Sequence, residues 1–176
     1  MIITKTELQD VMLLNFNIFR DIRGQFSRTF CWEKLQSNKL HFIIKQSNLS
    51  INIKKGTLRG FHFQKKGFEE KKSVTCIKGE IFNVVVDLRK KSKTYLKWQS
   101  FKLNEKNKTV LLLPKGCANA FLTLKENTIV LYHHSKIYNK KGDTGFKYND
   151  KLFNINWPIK PIVISKKDKN FESLKI

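Results

Sequence analysis

The sequence is poor in cysteine, with only Cys31, Cys76 and Cys117, and it contains no C-x-x-C motif. An odd, widely spaced set supports neither a disulfide framework nor a thiolate zinc site. Histidine offers no clear alternative. The adjacent His133 and His134 would point to opposite faces of a strand, with no carboxylate at ligand spacing nearby. We therefore predict no metal site.

Arginine is also scarce. The net charge of +21 comes from 35 basic residues, of which only five are arginine, and the lysines are scattered along the chain. Sequence-specific nucleic-acid recognition relies on the planar guanidinium of arginine, and no helix-turn-helix, zinc-finger or RNA-binding signature is present. We predict no nucleic-acid partner. The scattered lysines indicate a solvated surface that attracts anionic substrates.

Long apolar runs are missing as well. Residues 11–19 are apolar but are interrupted by Asn15 and Asn17, and no segment approaches the roughly 20 apolar residues of a membrane-spanning helix. We expect a cytoplasmic protein that does not bind membranes. No internal repeat or low-complexity linker divides the 176 residues, a length that suits one domain.

Short strand-like segments dominate what is present. Helical periodicity is weak, and the one fair helix lies at 32–38. Strand patterns occur at 73–78, 81–88, 98–103, 109–113, 121–124 and 128–132. We predict a hairpin between the last two, joined by 125–127. Many short strands favour a sandwich or barrel, followed after 158 by a polar, lysine-rich tail that wraps the domain or frays.

The segment 56–64, GTLRGFHFQ, is the most distinctive. Two glycines bracket Arg59, which can bind an anion, and His62 follows between two aromatic residues. A histidine in an apolar wall can titrate near neutrality and act as a base. Equally, His62 can be a core histidine on a strand.

Two further segments carry candidate binding residues. The segment 21–26, DIRGQF, predicts a turn followed by a strand. In a functional interpretation, Arg23 holds phosphate and Phe26 stacks on a base. In a structural interpretation, the segment is a surface turn beside a core Phe. In the segment 46–50, QSNLS, polar and apolar residues alternate. Its polar face can bind a ligand or face water.

These motifs, with further matches at 79–89, 113–121, 148–150, 155–158 and 164–168, resemble the dTDP-4-dehydrorhamnose 3,5-epimerase family over nearly the whole chain. The resemblance implies an all-β, cupin-type jelly-roll sandwich or barrel with a few short helices. It implies one domain, 1–176, whose tail, 159–176, folds back on the active site. It also implies a homodimer that needs no cofactor and acts on a nucleoside-diphosphate 4-keto sugar.

The resemblance also assigns roles. The C4 ketone acidifies the hydrogens at C3 and C5, because their removal leaves an enolate. His62 matches the base, Asp168 its carboxylate partner, Tyr132 the acid on the opposite face, and Lys72 a cation near the reacting oxygens. The residues assigned to substrate binding are Arg23, Phe26, Gln46, Asn48, Arg59, Asn119 and Tyr138.

The chain departs from the family pattern at four positions. Asn119 replaces a common His, Asn83 an Asp, Arg28 an acidic residue and His133 a Lys. The substrate therefore stays open. A dTDP-linked 4-keto-6-deoxy sugar is favoured over a GDP-linked 4-keto-heptose of capsule synthesis, and epimerisation at C3, C5 or both is possible. A keto-sugar isomerase and a non-catalytic anion-binding protein are the remaining alternatives.

Overall fold

A computed structural model describes residues 1–175 and contains fourteen strands and two short helices. The strands are β1 (Ile2–Lys5), β2 (Met12–Asn15), β3 (Ile18–Asp21), β4 (Gly24–Ser27), β5 (Gln46–Asn52), β6 (Thr57–Gln64), β7 (Lys72–Lys78), β8 (Glu80–Asp87), β9 (Trp98–Asn104), β10 (Val110–Leu113), β11 (Cys117–Thr123), β12 (Thr128–His134), β13 (Asp143–Gly145) and β14 (Val163–Ile164). The helices are α1 (Trp32–Ser37) and α2 (Lys166–Lys169). The predicted all-β class and its few short helices are confirmed.

The strands form two facing sheets and one separate hairpin. The first sheet has the order β1-β2-β10-β7-β12-β5. The second has the order β13-β6-β11-β8-β9, with β14 added in parallel to β6. The separate hairpin pairs β3 with β4. Apart from the consecutive pairs β1–β2 and β8–β9, neighbours in the two sheets are not consecutive in the chain, so the fold depends largely on long-range strand pairing.

An apolar core fills the space between the sheets. It receives Val74 and Val130 from the first sheet and Ile81, Val85 and Phe121 from the second, all at most 2% exposed. Burial of such side chains contributes on the order of 2 kcal/mol each. The strands that carry the candidate site residues are therefore held rigidly at a fixed separation.

The predicted hairpin between 121–124 and 128–132 is wrong. Both strands exist, but β11 pairs with β8 and β6 in the second sheet, whereas β12 pairs with β7 and β5 in the first. Residues 125–127 belong to a crossover between sheets. Phe121 and Tyr132 thus lie on different sheets and pack against each other across the interior, with ring centroids 6.3 Å apart and ring planes tilted by 42°.

The tail wraps the domain rather than fraying. Val163 and Ile164 pair with Thr57 and Leu58 on β6. Helix α2 then begins at the N-cap Ser165, whose Oγ accepts a hydrogen bond from the backbone N–H of Asp168 at 3.0 Å. Within residues 1–175, no helix is long and apolar enough to cross a membrane.

Candidate active site

A bulge in β6 places Arg59 and His62 on the same face of the second sheet. In a regular strand, residues three apart point to opposite faces. Here Arg59 pairs with Phe121 and His62 with Asn119, so three steps along β6 match two along β11. At the bulge the backbone of β6 lies very close to that of β11. Gly60 permits this, because a Cβ at that position would lie 2.6 Å from the Cα of Ala120.

The structure brings His62 and Asp168 together, as predicted. The His62 Nε2–H donates to Asp168 Oδ1 at 2.8 Å, and Asp168 Oδ2 accepts from the backbone N–H of Gly60 at 3.0 Å. Burial raises the pKa of Asp168, but the hydrogen bonds from His62 and Gly60 outweigh it and hold that pKa below its ordinary value. The ionised carboxylate fixes the imidazole tautomer and leaves Nδ1 as the basic nitrogen.

A cavity of about 210 Å³ lies between the sheets, with His62 on its wall. It gathers six of the predicted site residues: Asn48, Arg59, His62, Lys72, Asn119 and Tyr132. Arg59, His62 and Asn119 come from the second sheet, whereas Asn48, Lys72 and Tyr132 come from the first. The imidazole and the phenol therefore stand on opposite walls of one space.

The first-sheet wall carries two groups with perturbed acidity. Burial raises the pKa of Tyr132 well above its ordinary value, although Arg59 partly opposes the shift, so the phenol is protonated near neutrality. Burial lowers the pKa of Lys72, with Glu70 at 3.7 Å acting in the opposite direction. This wall can donate a proton and place a cation beside an oxyanion.

Gln46 and Tyr138 adjoin Asn48 without lining the cavity. Gln46 Nε2 donates to Asn48 Oδ1 at 3.1 Å, and Gln46 Oε1 accepts from the backbone N–H of Tyr138 at 2.8 Å. The Tyr138 hydroxyl donates to Asp143 at 2.8 Å. The chain of contacts fixes the end of β5 next to the cavity mouth.

Arg23 and Phe26 are not brought to this cavity. They lie on the β3–β4 hairpin, where Arg23 pairs with Asp21 and Phe26 is 69% exposed. The hairpin forms a separate concavity that shares no residue with the lining around His62. Within one chain, these two predicted binding residues are therefore exposed and do not join the other site residues around the cavity.

Three contributors to the site were missed by the sequence reasoning. The ring of Phe171 meets that of His62 edge-on, with centroids 5.9 Å apart. His134 lines the cavity and bonds to Glu70 at 3.0 Å. The spacing of His134, two residues after Tyr132 on a strand, was the available signal. Among residues 1–175, no three histidine, cysteine or acidic side chains are grouped to hold a metal ion.

Known proteins of one family resemble this chain over nearly its whole length. Residues 5–175 match the family model described as dTDP-4-dehydrorhamnose 3,5-epimerase. The enzyme of that name from Methanothermobacter thermautotrophicus is 36% identical over 97% of this chain and 93% of its own length. The Shigella flexneri enzyme is also 36% identical, over 96% and 93%.

Solved structures give the same result. The Bacillus anthracis epimerase with TDP and pyrophosphate bound superposes with a TM-score of 0.94 at 35% identity, covering 98% of both chains. A Legionella pneumophila epimerase in complex with dTDP-4-keto-L-rhamnose superposes with a TM-score of 0.91 at 29% identity, covering 97% and 91%. The jelly-roll fold and the isomerase class predicted above are confirmed, and the chain belongs to the dTDP-4-dehydrorhamnose 3,5-epimerase family.

Proposed function

We propose that this protein epimerises a dTDP-linked 4-keto-6-deoxy sugar at C3, C5 or both. The relatives that support the assignment carry the name dTDP-4-dehydrorhamnose 3,5-epimerase, and one solved neighbour holds dTDP-4-keto-L-rhamnose. The single observation that carries the proposal is the opposition of His62 and Tyr132 across one cavity. Inversion of a carbon requires a base on one face and an acid on the other.

The sequence of proton transfers follows from this arrangement. His62 Nδ1 takes the hydrogen next to the ketone and becomes an imidazolium beside Asp168. The electron pair moves onto the ketone oxygen as an enolate, which Lys72 stabilises by its charge. Tyr132 then gives its phenolic proton to the carbon from the opposite face, so the configuration inverts.

The proposed binding residues fall into three groups. Arg59, Asn48 and Asn119 are positioned on the cavity wall to hold the diphosphate and the sugar. Gln46 and Tyr138 support the cavity mouth. The exposed hairpin carries Arg23 and Phe26, and we propose that it completes the site of a second subunit.

A homodimer is supported by the outer face of β5, which is an edge strand of the first sheet. Leu49 and Ile51 on this strand are 61% and 64% exposed, and Ile53, directly after it, is 72% exposed. An apolar row on an unpaired edge favours association with another strand. Light scattering on the wild type and on Ile51→Lys tests this, because a monomeric wild type would reject the dimer.

The remaining assignments are also proposals. We propose one domain, 1–176, with the tail 159–176 covering the site, although Ile176 lies outside the described residues. We further propose a cytoplasmic enzyme that works without a metal or cofactor, because an imidazole, a phenol and a lysine together supply the proton transfers and the enolate stabilisation.

The function is tested by NMR analysis of the sugar after incubation with dTDP-4-keto-6-deoxyglucose and, in parallel, with a GDP-linked 4-keto-heptose. We expect the dTDP-linked sugar to be inverted by the wild type and not by His62→Ala. Inversion of the heptose alone would move the substrate to the GDP-linked class. No inversion of either sugar would contradict the proposed reaction.

A further inference from the structure

A second imidazole–carboxylate pair adjoins the cavity, which is lined by its histidine, His134. The His134 Nδ1–H donates to Glu70 Oε1 at 3.0 Å, and the two side chains are only 12% and 11% exposed. The carboxylate fixes the tautomer and turns Nε2 toward the amide nitrogen of Asn48, 3.3 Å away. His134 thus mirrors the His62–Asp168 pair from the opposite sheet.

The position of His134 on β12 places it beside the proposed acid. Tyr132 and His134 are two residues apart on one strand, so both face the cavity, and their ring centroids lie 6.2 Å apart. The two rings therefore stand side by side on one wall of the cavity. On the neighbouring strand, Lys72 stands directly opposite His134 and shares Glu70 with it. Glu70 and Lys72 are the charged groups that adjoin His134.

The reaction leaves Tyr132 in need of a proton. Each inversion turns its phenol into a phenolate, and burial disfavours that charge. His62 is 35% exposed and can return its proton to water directly. If two carbons are inverted during one visit of the substrate, Tyr132 must be reprotonated while the sugar covers it.

We propose that His134, positioned by Glu70, supplies the proton that restores Tyr132 between inversions. This rests on the proposed epimerase function. The doubly protonated imidazole passes its Nε2 proton to the phenolate through water in the cavity that both residues line, and becomes neutral. The Nδ1–H of His134 stays hydrogen-bonded to Glu70 throughout. Solvent at the cavity mouth then returns a proton to Nε2 of His134. While Nε2 is protonated, the side-chain amide of Asn48 rotates so that its oxygen accepts from the Nε2–H.

The test compares His134→Gln and Glu70→Gln with a matched control, His133→Gln. His133 is the adjacent histidine, and it points to the other face of the strand, where it bonds to Ser47 at 2.7 Å. With dTDP-4-keto-6-deoxyglucose in heavy water, enzyme in excess reports the first deuterium transfer, and substrate in excess reports turnover.

We expect the first transfer to survive in His134→Gln, because Tyr132 starts out protonated. Turnover and the share of doubly labelled sugar should fall at least about tenfold, a lower bound that lies below the roughly 10²–10⁴-fold of a full general acid–base contribution. Glu70→Gln should show the same pattern more weakly, and His133→Gln should match the wild type. Added imidazole should restore turnover to His134→Ala but not to a His62→Ala control.

Two results would overturn the relay. One is unchanged turnover in His134→Gln. The other is an equal loss of the first transfer and of turnover without rescue by imidazole, which would mark a purely structural role. A wild type that incorporates no deuterium would reject the epimerase function, and the relay with it, so the two failures are distinguishable.

Discussion

The side-chain amide of Asn119 donates to the side-chain oxygen of Asn83 at 2.9 Å, and both residues are buried. The same Nδ2 also donates to the carbonyl oxygen of Val84 at 3.1 Å, so the nitrogen is held inward and the Asn119 oxygen is left for the cavity. Asn119 and Asn83, the two positions that depart from the family's His and Asp, therefore contact each other. Where the family resemblance implies a titratable His and Asp, this chain has a neutral amide pair.

This contact predicts that the two positions change together. Asn83→Asp alone buries a carboxylate oxygen where Asn83 Nδ2 already has no partner within residues 1–175, so we expect about 1–3 kcal/mol of destabilisation. The double variant Asn83→Asp/Asn119→His should recover at least about 1 kcal/mol, as coupled neighbours do. Urea unfolding of the four proteins measures the coupling. Strict additivity would contradict it.

Asp87 predicts a specific acid sensitivity. It is fully buried, and although desolvation raises its pKa, hydrogen bonds from Arg89, Ser92 and Thr94 lower that pKa to about 2. Because the folded-state pKa is below the unfolded value of 3.8, the stabilisation is present above pH 4 and disappears as the pH falls toward 2.

That contribution is on the order of 2 kcal/mol at neutral pH. Unfolding free energies of the wild type and Asp87→Asn, measured between pH 2 and 6, should converge at the acid end. A constant difference across that range would show that the carboxylate's ionisation is not involved.

Gly60 is predicted to be irreplaceable at the bulge. Its φ is +121°, and an added Cβ would lie 2.6 Å from the Cα of Ala120 and 2.7 Å from the carbonyl oxygen of Asn119. Gly60→Ala should lower the free energy of unfolding by about 1–3 kcal/mol more than the same substitution at a glycine that is equally strained but not crowded. Gly24→Ala is the matched control, since its φ is also +121° and nothing lies within 4 Å. Equal losses would rule out the crowding argument.

Asp168→Asn tests the orientation of the imidazole. The amide can present its nitrogen to His62 Nε2 and so favour the wrong tautomer, which costs about 10⁴-fold in the serine-protease example. We expect at least about a 100-fold loss in kcat with little change in KM. A rise in KM with unchanged kcat would indicate a binding role for Asp168.

The sequence predicted the positions of strands and of individual site residues better than it predicted which strands pair and which distant residues touch. Apolar runs such as Glu80–Asp87 stand out because they are buried on both faces, and the helix at 32–38 was placed within one residue of its observed end. The destination of the chain after Thr123 was not readable, because the same polar turn serves a hairpin or a crossover between sheets. The β6 bulge and the His134–Glu70 contact, 64 residues apart, depend on tertiary packing that local patterns do not encode.

The central claim is that His62 and Tyr132 act on opposite faces of one keto sugar. Deuterium incorporation from heavy water into dTDP-4-keto-6-deoxyglucose, located by NMR, tests it most directly. We expect the wild type to place deuterium at C3, C5 or both with inversion, Tyr132→Phe to exchange without inversion, and His62→Ala to do neither. Inversion that persists in Tyr132→Phe, or label that persists in His62→Ala, would contradict the account.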